Sequence, residues 1–362
     1  MTRFRFLIFV IITHSMIIGC NGRGAIPQDD TACHSIEIKS NINSPISPNI
    51  LHLDTSFIHL KFSADTTKFI GTILDMAFDS DDRFYILELQ TSYIYQFDKN
   101  SGEYINGLFN IGRGPNEHIE ICDIDVDKDK LYLLDNTQNK ISVYDSQLNR
   151  ITHFELPMPT LAFSVCNDTL WGRGFSATNG DVKIYCCNTK GQIISEFDDG
   201  TNIADPLSSF STGGNIFSKK NSQIYYKPDF RNSIKQLTKD SIYNSININF
   251  IGYNTEPNDT YDEINESKAS LYNCFILDNR IYFSFHLHQN LNVCLYNMEK
   301  KSPIYGRIEY KKETMPFVIR WQDNNTLIGY KSVTSTTEYR GIKLNEGDIV
   351  IALMKKNTQK IL

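Results

Sequence analysis

The sequence predicts an all-β fold, a six-bladed β-propeller whose ring is closed by an N-terminal strand. Three observations carry this. Ile73–Asp145 is two copies of one unit laid end to end: Ile73 and Ile121 stand 48 positions apart, Phe84 and Leu131 stand 47, Ile94 and Ile141 stand 47. Repetition at this spacing, carried by short strand-like runs, is what propeller blades look like in sequence. The same rhythm then continues toward the C-terminus. Finally, 12% aromatic content with abundant Ile and Asn suits strands and turns, and no long stretch has helical periodicity.

In chain order, Met1–Gly19 reads as a leader rather than fold. Arg3 and Arg5 form a basic start, and Phe6–Ile18 is mostly apolar but too short to span a bilayer comfortably, which takes roughly 20 apolar residues. It ends in Ile17-Ile18-Gly19-Cys20, which resembles a bacterial lipoprotein signal. Cys20 would then be lipidated, and the mature chain anchored to the membrane by its lipid. No acidic cluster follows Cys20, so the expected place is the outer membrane facing the periplasm, with surface exposure as the alternative. Residues 20–48, rich in Asn, Ser, Gly and Pro, read as a flexible tether. The propeller is expected over 49–362.

Blade one is Ile73–Asp79, Phe84–Glu88 and Ile94–Asp98, and blade two is Ile121–Asp127, Leu131–Asp135 and Ile141–Asp145. Blade three is Leu161–Val165, Thr169–Trp171, Val182–Tyr185 and Ile193–Phe197. Blade four is Asn215–Phe217, Gln223–Tyr226, Ser233–Leu237 and Ser245–Phe250. Blade five is Leu271–Ile276, Arg280–Phe285, Leu291–Tyr296 and Ile304–Ile308. Blade six is Phe317–Trp321, Thr326–Tyr330 and Asp348–Met354, and lacks a fourth strand. Asn, Asp, Gly or Ser turns separate these runs. Thr55–Phe62 is strand-like and precedes blade one, so it is expected to complete blade six and remove an open sheet edge.

A resemblance follows from these residues. Ile111-Gly-Arg-Gly-Pro-Asn-Glu117, the aspartate-rich strand after it, Leu131-Tyr-Leu-Leu-Asp135 and Ile224–Ile234 resemble the signature of a family of uncharacterised six-bladed propeller lipoproteins from Gram-negative anaerobes. The family is similar in outline to NHL and TolB-type propellers. The resemblance implies the fold and an exported address, and no activity or catalytic residue.

Net charge is −6, and loss of Arg3 and Arg5 leaves 34 basic against 42 acidic side chains. Without long basic runs the chain is a poor nucleic-acid binder. Of eight cysteines, seven remain beside Cys20. Cys166 with Cys186 or Cys187, and Cys274 with Cys294, fall on first and third strands of a blade, two strand spacings apart and too far for a bridge. They are expected as buried thiols.

Candidate sites gather on the face formed by the loops between blades and the loops between second and third strands. The loop around Arg113, Asn116 and His118 would lie there, with glycines that admit a ligand to backbone N–H groups and an arginine for a carboxylate, sulfate or phosphate. Its structural reading is a shaped turn with Arg113 paired to an acid. Arg173 and Arg231 are placed on the same face, and the three arginines are expected to form an anion pocket. Asp123 and Asp125 alternate on an inner strand and would collect a divalent cation such as calcium, or else build the blade. His286 and His288 would share one side of a strand and hold zinc or iron, or else pack as rings. No nucleophile elbow, His-Glu-x-x-His, dinucleotide fingerprint or Cys-x-x-Cys is present, so no catalytic residue is nominated and no cofactor is expected beyond that cation. The expected role is binding of a small molecule, glycan or partner protein on this face, ahead of a hydrolase or lyase with a metal or arginine-carboxylate site, or an interaction scaffold.

Overall fold

The computed structural model describes residues 34–39, 44–47, 53–62, 69–114, 116–202, 214–256, 259–309 and 317–356. The leader, Cys20 and Cys33 lie outside the described residues. Three short N-terminal strands come first: β1 (His34–Ile38), β2 (Pro45–Ile46) and β3 (Leu53–His59). Blade one is β4 (Ile73–Phe78), β5 (Arg83–Glu88), β6 (Ile94–Asp98) and β7 (Tyr104–Leu108), and blade two is β8 (Ile121–Asp127), β9 (Lys130–Asp135), β10 (Lys140–Tyr144) and β11 (Arg150–Glu155). Blade three is β12 (Thr160–Cys166), β13 (Thr169–Phe175), β14 (Asp181–Asn188) and β15 (Ile193–Asn202). Blade four is β16 (Phe217–Lys220), β17 (Gln223–Tyr226), β18 (Ser233–Thr238) and β19 (Ser241–Phe250). After the short helix α1 (Tyr261–Ser267), blade five is β20 (Ser270–Ile276), β21 (Arg280–Leu287), β22 (Asn290–Asn297) and β23 (Ser302–Ile308). Blade six is β24 (Val318–Asp323), β25 (Thr326–Ser332) and, beyond a hairpin of β26 (Thr337–Tyr339) and β27 (Ile342–Leu344), β28 (Ile349–Lys356).

Each blade is an antiparallel sheet, and β3 pairs with β28 as the outer strand of blade six. The six-bladed all-β propeller and its closure by an N-terminal strand are therefore as expected. The closure works because Phe57 lies opposite Ala352 and Ile58 opposite Ile351, so an N-terminal segment shields the outer edge of β28.

The core sits between the blades. Leu87 and Ile94 of blade one meet Ile124 and Leu133 of blade two, and Trp321 and Ile351 of blade six meet Ile86 and Phe97 of blade one, with a comparable apolar cluster at each of the other seams. This explains why middle strands such as Arg83–Glu88 are apolar on both faces: each face packs on a neighbouring blade.

The tether boundary needs correction. Residues 34–38 and 45–46 lie inside the stretch 20–48 expected to be flexible. Yet β1 pairs in parallel with β19, and β2 in parallel with β23, each as a fifth strand. Ile36 and Ile38 are 1% and 0% exposed and pack on Ile246, Phe250 and Phe285. A polar average over the segment hides a five-residue alternation, His-Ser-Ile-Glu-Ile, that suits a half-buried strand. Blade four's inner strand also begins at Phe217 rather than Asn215. The six described cysteines form no disulfide, and Cys274 and Cys294 flank Phe283 on first and third strands.

Candidate functional site

The inner strands begin on the loop face and surround the mouth of the channel. In five blades the register slips by one residue at the same place: between Ile73 and Asp75, Ile121 and Asp123, Thr160 and Ala162, Leu271 and Asn273, and Ile319 and Trp321. The residues skipped are Leu74, Cys122, Leu161, Tyr272 and Arg320. Such a bulge re-aims one side chain while the ladder continues on either side. Leu74, Cys122, Leu161 and Arg320 accordingly border a cavity of about 340 Å3 to which all six blades contribute. Blade four enters differently. Gly214 (φ 69°) packs so closely on blade five that a Cβ would stand 2.1 Å from the Tyr272 carbonyl oxygen. The chain can take that path only with glycine.

Aspartates on the inner strands bond to the next blade. The Asp123 carboxyl accepts from the Phe163 N–H of blade three at 2.8 Å, and Asp125 accepts from the Val165 N–H and the Ser164 hydroxyl, both at 2.8 Å. Asp75 accepts from the Ile124 N–H at 3.3 Å and from Trp321 Nε1 of blade six at 2.8 Å. Asn273 continues the pattern in blade five, donating to the Ile319 carbonyl at 3.0 Å and accepting from the Asn215 N–H at 2.8 Å. Lys219 of blade four crosses the channel and donates to Asp125 Oδ1 (2.6 Å) and to the carbonyls of Val126 (2.7 Å) and Val165 (3.2 Å).

Asp75 and Asp123 are also hydrogen-bonded to each other. Both keep some surface toward the cavity, but protein encloses them on the other sides. Burial is the leading cause that raises both carboxyls, and for Asp123 the neighbouring Asp75 charge adds to it and lifts it well above the usual range. Both effects favour the protonated, uncharged form of Asp123.

The loop expected to receive a ligand is closed by its own side chain. Gly114 N–H donates to Glu117 Oε2 at 2.7 Å, and a Cβ on Gly112 would meet that oxygen at 2.1 Å. Glu117 thus occupies the place an anion would take. Arg113 is exposed, and Asn116 accepts from Arg150 Nη1 at 3.0 Å. His118 is 2% exposed, with Nε2 2.9 Å from the Tyr144 hydroxyl; burial, then the Lys140 charge, lower its pKa to about 4.

Arg173 and Arg231 do lie toward the loop face, but the three arginines form no common pocket among the described residues. Arg173 is buried against Asp229 (3.4 Å), which also faces Lys227 (3.7 Å), while Arg231 is exposed. The cation reading of Asp123 and Asp125 meets an occupied position, since the Lys219 ammonium stands where a cation would. No group of three or more metal-capable side chains converges among the described residues. The histidine geometry is corrected: β21 ends at Leu287 and His288 lies in the turn with φ 50°, so the two rings do not share a strand side. His286 stands edge-on to Tyr272 (5.2 Å) and borders a second cavity of about 380 Å3 with Phe230 and Tyr261, while His288 packs on Tyr253 (5.8 Å).

Sequence reasoning missed Lys219, Arg320 and Trp321. Aligning Arg320 with Leu74, Cys122 and Leu161 in the repeat would have placed it at the mouth, but the repeat is weak in blade six, and the bulge that turns the residue inward leaves no mark in composition.

The fold has relatives among solved structures. An exported protein from Bacteroides fragilis aligns with a TM-score of 0.72 at 16% identity, over 89% of this chain and 99% of that one. A member of the DUF4221 family from Bacteroides vulgatus aligns with a TM-score of 0.52 at 14% identity, over 83% and 96%. At these identities the likeness is one of fold. No curated protein matches the sequence. A family model described as a domain of unknown function, DUF4934, matches residues 38–359, and the chain belongs to that family.

Proposed function

We propose that the protein is a lipid-anchored envelope protein that binds a small molecule, or a terminal group of a glycan or partner protein, at the mouth of the propeller channel. The observation that carries the reading is the cavity of about 340 Å3 to which all six blades contribute side chains. Its volume falls within the range of small-molecule sites, roughly 300–1,000 Å3. Its walls combine Leu74 and Leu161 with Asp75, Ser164, Lys219 and Arg320. A few convergent polar groups set in an apolar wall orient a ligand while the wall supplies desolvation. The envelope address is supported by Met1–Gly19 and Cys20, and is in keeping with the likeness to an exported Bacteroides protein.

The test is a thermal-shift screen of the protein without its leader against metabolites, oligosaccharides and peptides, with each hit repeated on Leu161→Trp. Leu161 is exposed at the rim, and the larger ring narrows the mouth. A ligand that binds the folded state alone raises Tm by mass action. Hits lost in Leu161→Trp support the reading. Hits of unchanged affinity in that variant, or a screen without hits, refute it.

A further inference from the structure

Among the described residues most polar groups of the mouth are committed to one another; beside the unpartnered Gln322 Oε1, the charged exception is a cation. The two oxygens of Asp75 accept from Met76 N–H, Trp321 Nε1 and Ile124 N–H. Those of Asp123 accept from Ile124 N–H and Phe163 N–H, and those of Asp125 from Val126 N–H, Ser164, Val165 N–H and Lys219. An ammonium has three donors, and Lys219 places them on three acceptors. Arg320 differs. Its guanidinium has five N–H donors. Among the described residues its one protein hydrogen bond is a long one, from Nη1 to the Ile73 carbonyl at 3.5 Å, and its Nε has no acceptor. Among the described residues no carboxylate pairs with it. It rests instead over the Trp321 ring, 5.1 Å from the centroid, and Trp321 is in turn pinned to Asp75. An aromatic face steadies an arginine without occupying its hydrogen-bonding fork.

We infer that the channel mouth takes a ligand bearing a carboxylate, held by Arg320, with its apolar body against Leu74 and Leu161. The inference rests on the reading of the mouth as a binding site and adds the chemical class. The nearby aspartates do not oppose it strongly. Asp125 is paired with Lys219, and the oxygens of Asp75 and Asp123 are directed at Trp321 Nε1 and backbone N–H groups. A charge-assisted contact to the unpaired guanidinium then decides the sign, as such bonds are roughly twice as strong as neutral ones. The anion site expected at Arg113, Arg173 and Arg231 is thereby moved to blade six.

The experiment is calorimetric titration at pH 7 and low salt with a panel of small carboxylates, glucuronate and benzoate among them, each beside its methyl ester. The protein is used without its leader, alongside the variants Arg320→Gln, Arg320→Lys and Leu161→Trp, with melting curves to show that each folds. At least one carboxylate binds, its ester binds at least tenfold more weakly, Arg320→Gln loses at least tenfold, and Arg320→Lys recovers part of it. Esters that bind as well as acids, unchanged affinity in Arg320→Gln, or a panel without a binder overturns the inference. Where esters and acids bind alike and Leu161→Trp abolishes both, the carboxylate class fails and mouth binding stands. Where binding ignores Leu161→Trp, both fail.

Discussion

Asp75 and Asp123 hydrogen-bond to one another across the seam between blades one and two. Folding raises both carboxyls, chiefly by burial. The folded chain therefore holds more protons than the unfolded chain between the ordinary carboxylate value and the raised one. Stability from the pair falls as pH rises through that window. Asp123→Asn supplies a permanent donor to Asp75 and cannot ionise. Its Tm should therefore fall less between pH 5 and pH 8 than that of the parent protein. Parallel pH profiles by calorimetry would show that the pair does not share a proton.

His118 acts in the opposite sense. Its pKa drops from 6.5 to about 4 through burial and then Lys140, so the folded chain holds fewer protons than the unfolded chain between those values. Its contribution is complete above pH 6.5 and is lost as pH falls toward 4. His118→Gln keeps a partner for the Tyr144 hydroxyl without titrating. The variant should lose less stability than the parent between pH 6.5 and 4.5 in urea unfolding. An equally steep acid limb would place the ring outside the buried pocket.

Lys219 is the one cation on Asp125 among the described residues. Lys219→Met leaves that carboxylate half-buried with neutral donors only, at a cost on the order of 2 kcal/mol, below the 3–5 kcal/mol of a fully buried pair because both side chains keep some solvent contact. The double variant with Asp125→Asn should regain more than half of the loss, since no charge is then left unpaired. Urea midpoints measure both. A single variant as stable as the parent would show that solvent alone satisfies Asp125.

The repeat revealed the blades because Leu131-Tyr-Leu-Leu-Asp135 and Phe84-Tyr-Ile-Leu-Glu88 are buried on both faces by the same seam packing, and identical demands leave similar residues. The blade-building reading of the aspartates was legible for the same reason: Asp75 and Asp123 occupy equivalent places. The mouth was not legible, because its members come from different blades and perform different tasks. Arg320 sits where the other blades have Leu74 and Cys122, so repetition disguises it. The Gly112 and Gly114 loop misled in the other direction. Its glycines do expose backbone N–H groups, but Glu117, three residues on, folds back to take one.

β1 yields the last prediction. Residues 34–38 were expected to be slack, yet Ile36 and Ile38 are buried on blades four and five, and the strand covers the edge of β19. Truncating a buried Ile to Ala costs about 2–5 kcal/mol. A chain beginning at Asn41 loses both side chains and exposes that edge, whereas a chain beginning at Asn21 keeps them. The shorter chain should melt several degrees lower and aggregate more readily, since a bare edge strand recruits other strands. Ile36→Ala in the longer chain should reproduce part of the drop without altering the tether's length. If both truncations melt together and Ile36→Ala is neutral, the segment is a tether after all. If they separate, the span between Cys20 and the propeller is shorter than the 29 residues from Cys20 to Pro48 that composition suggests.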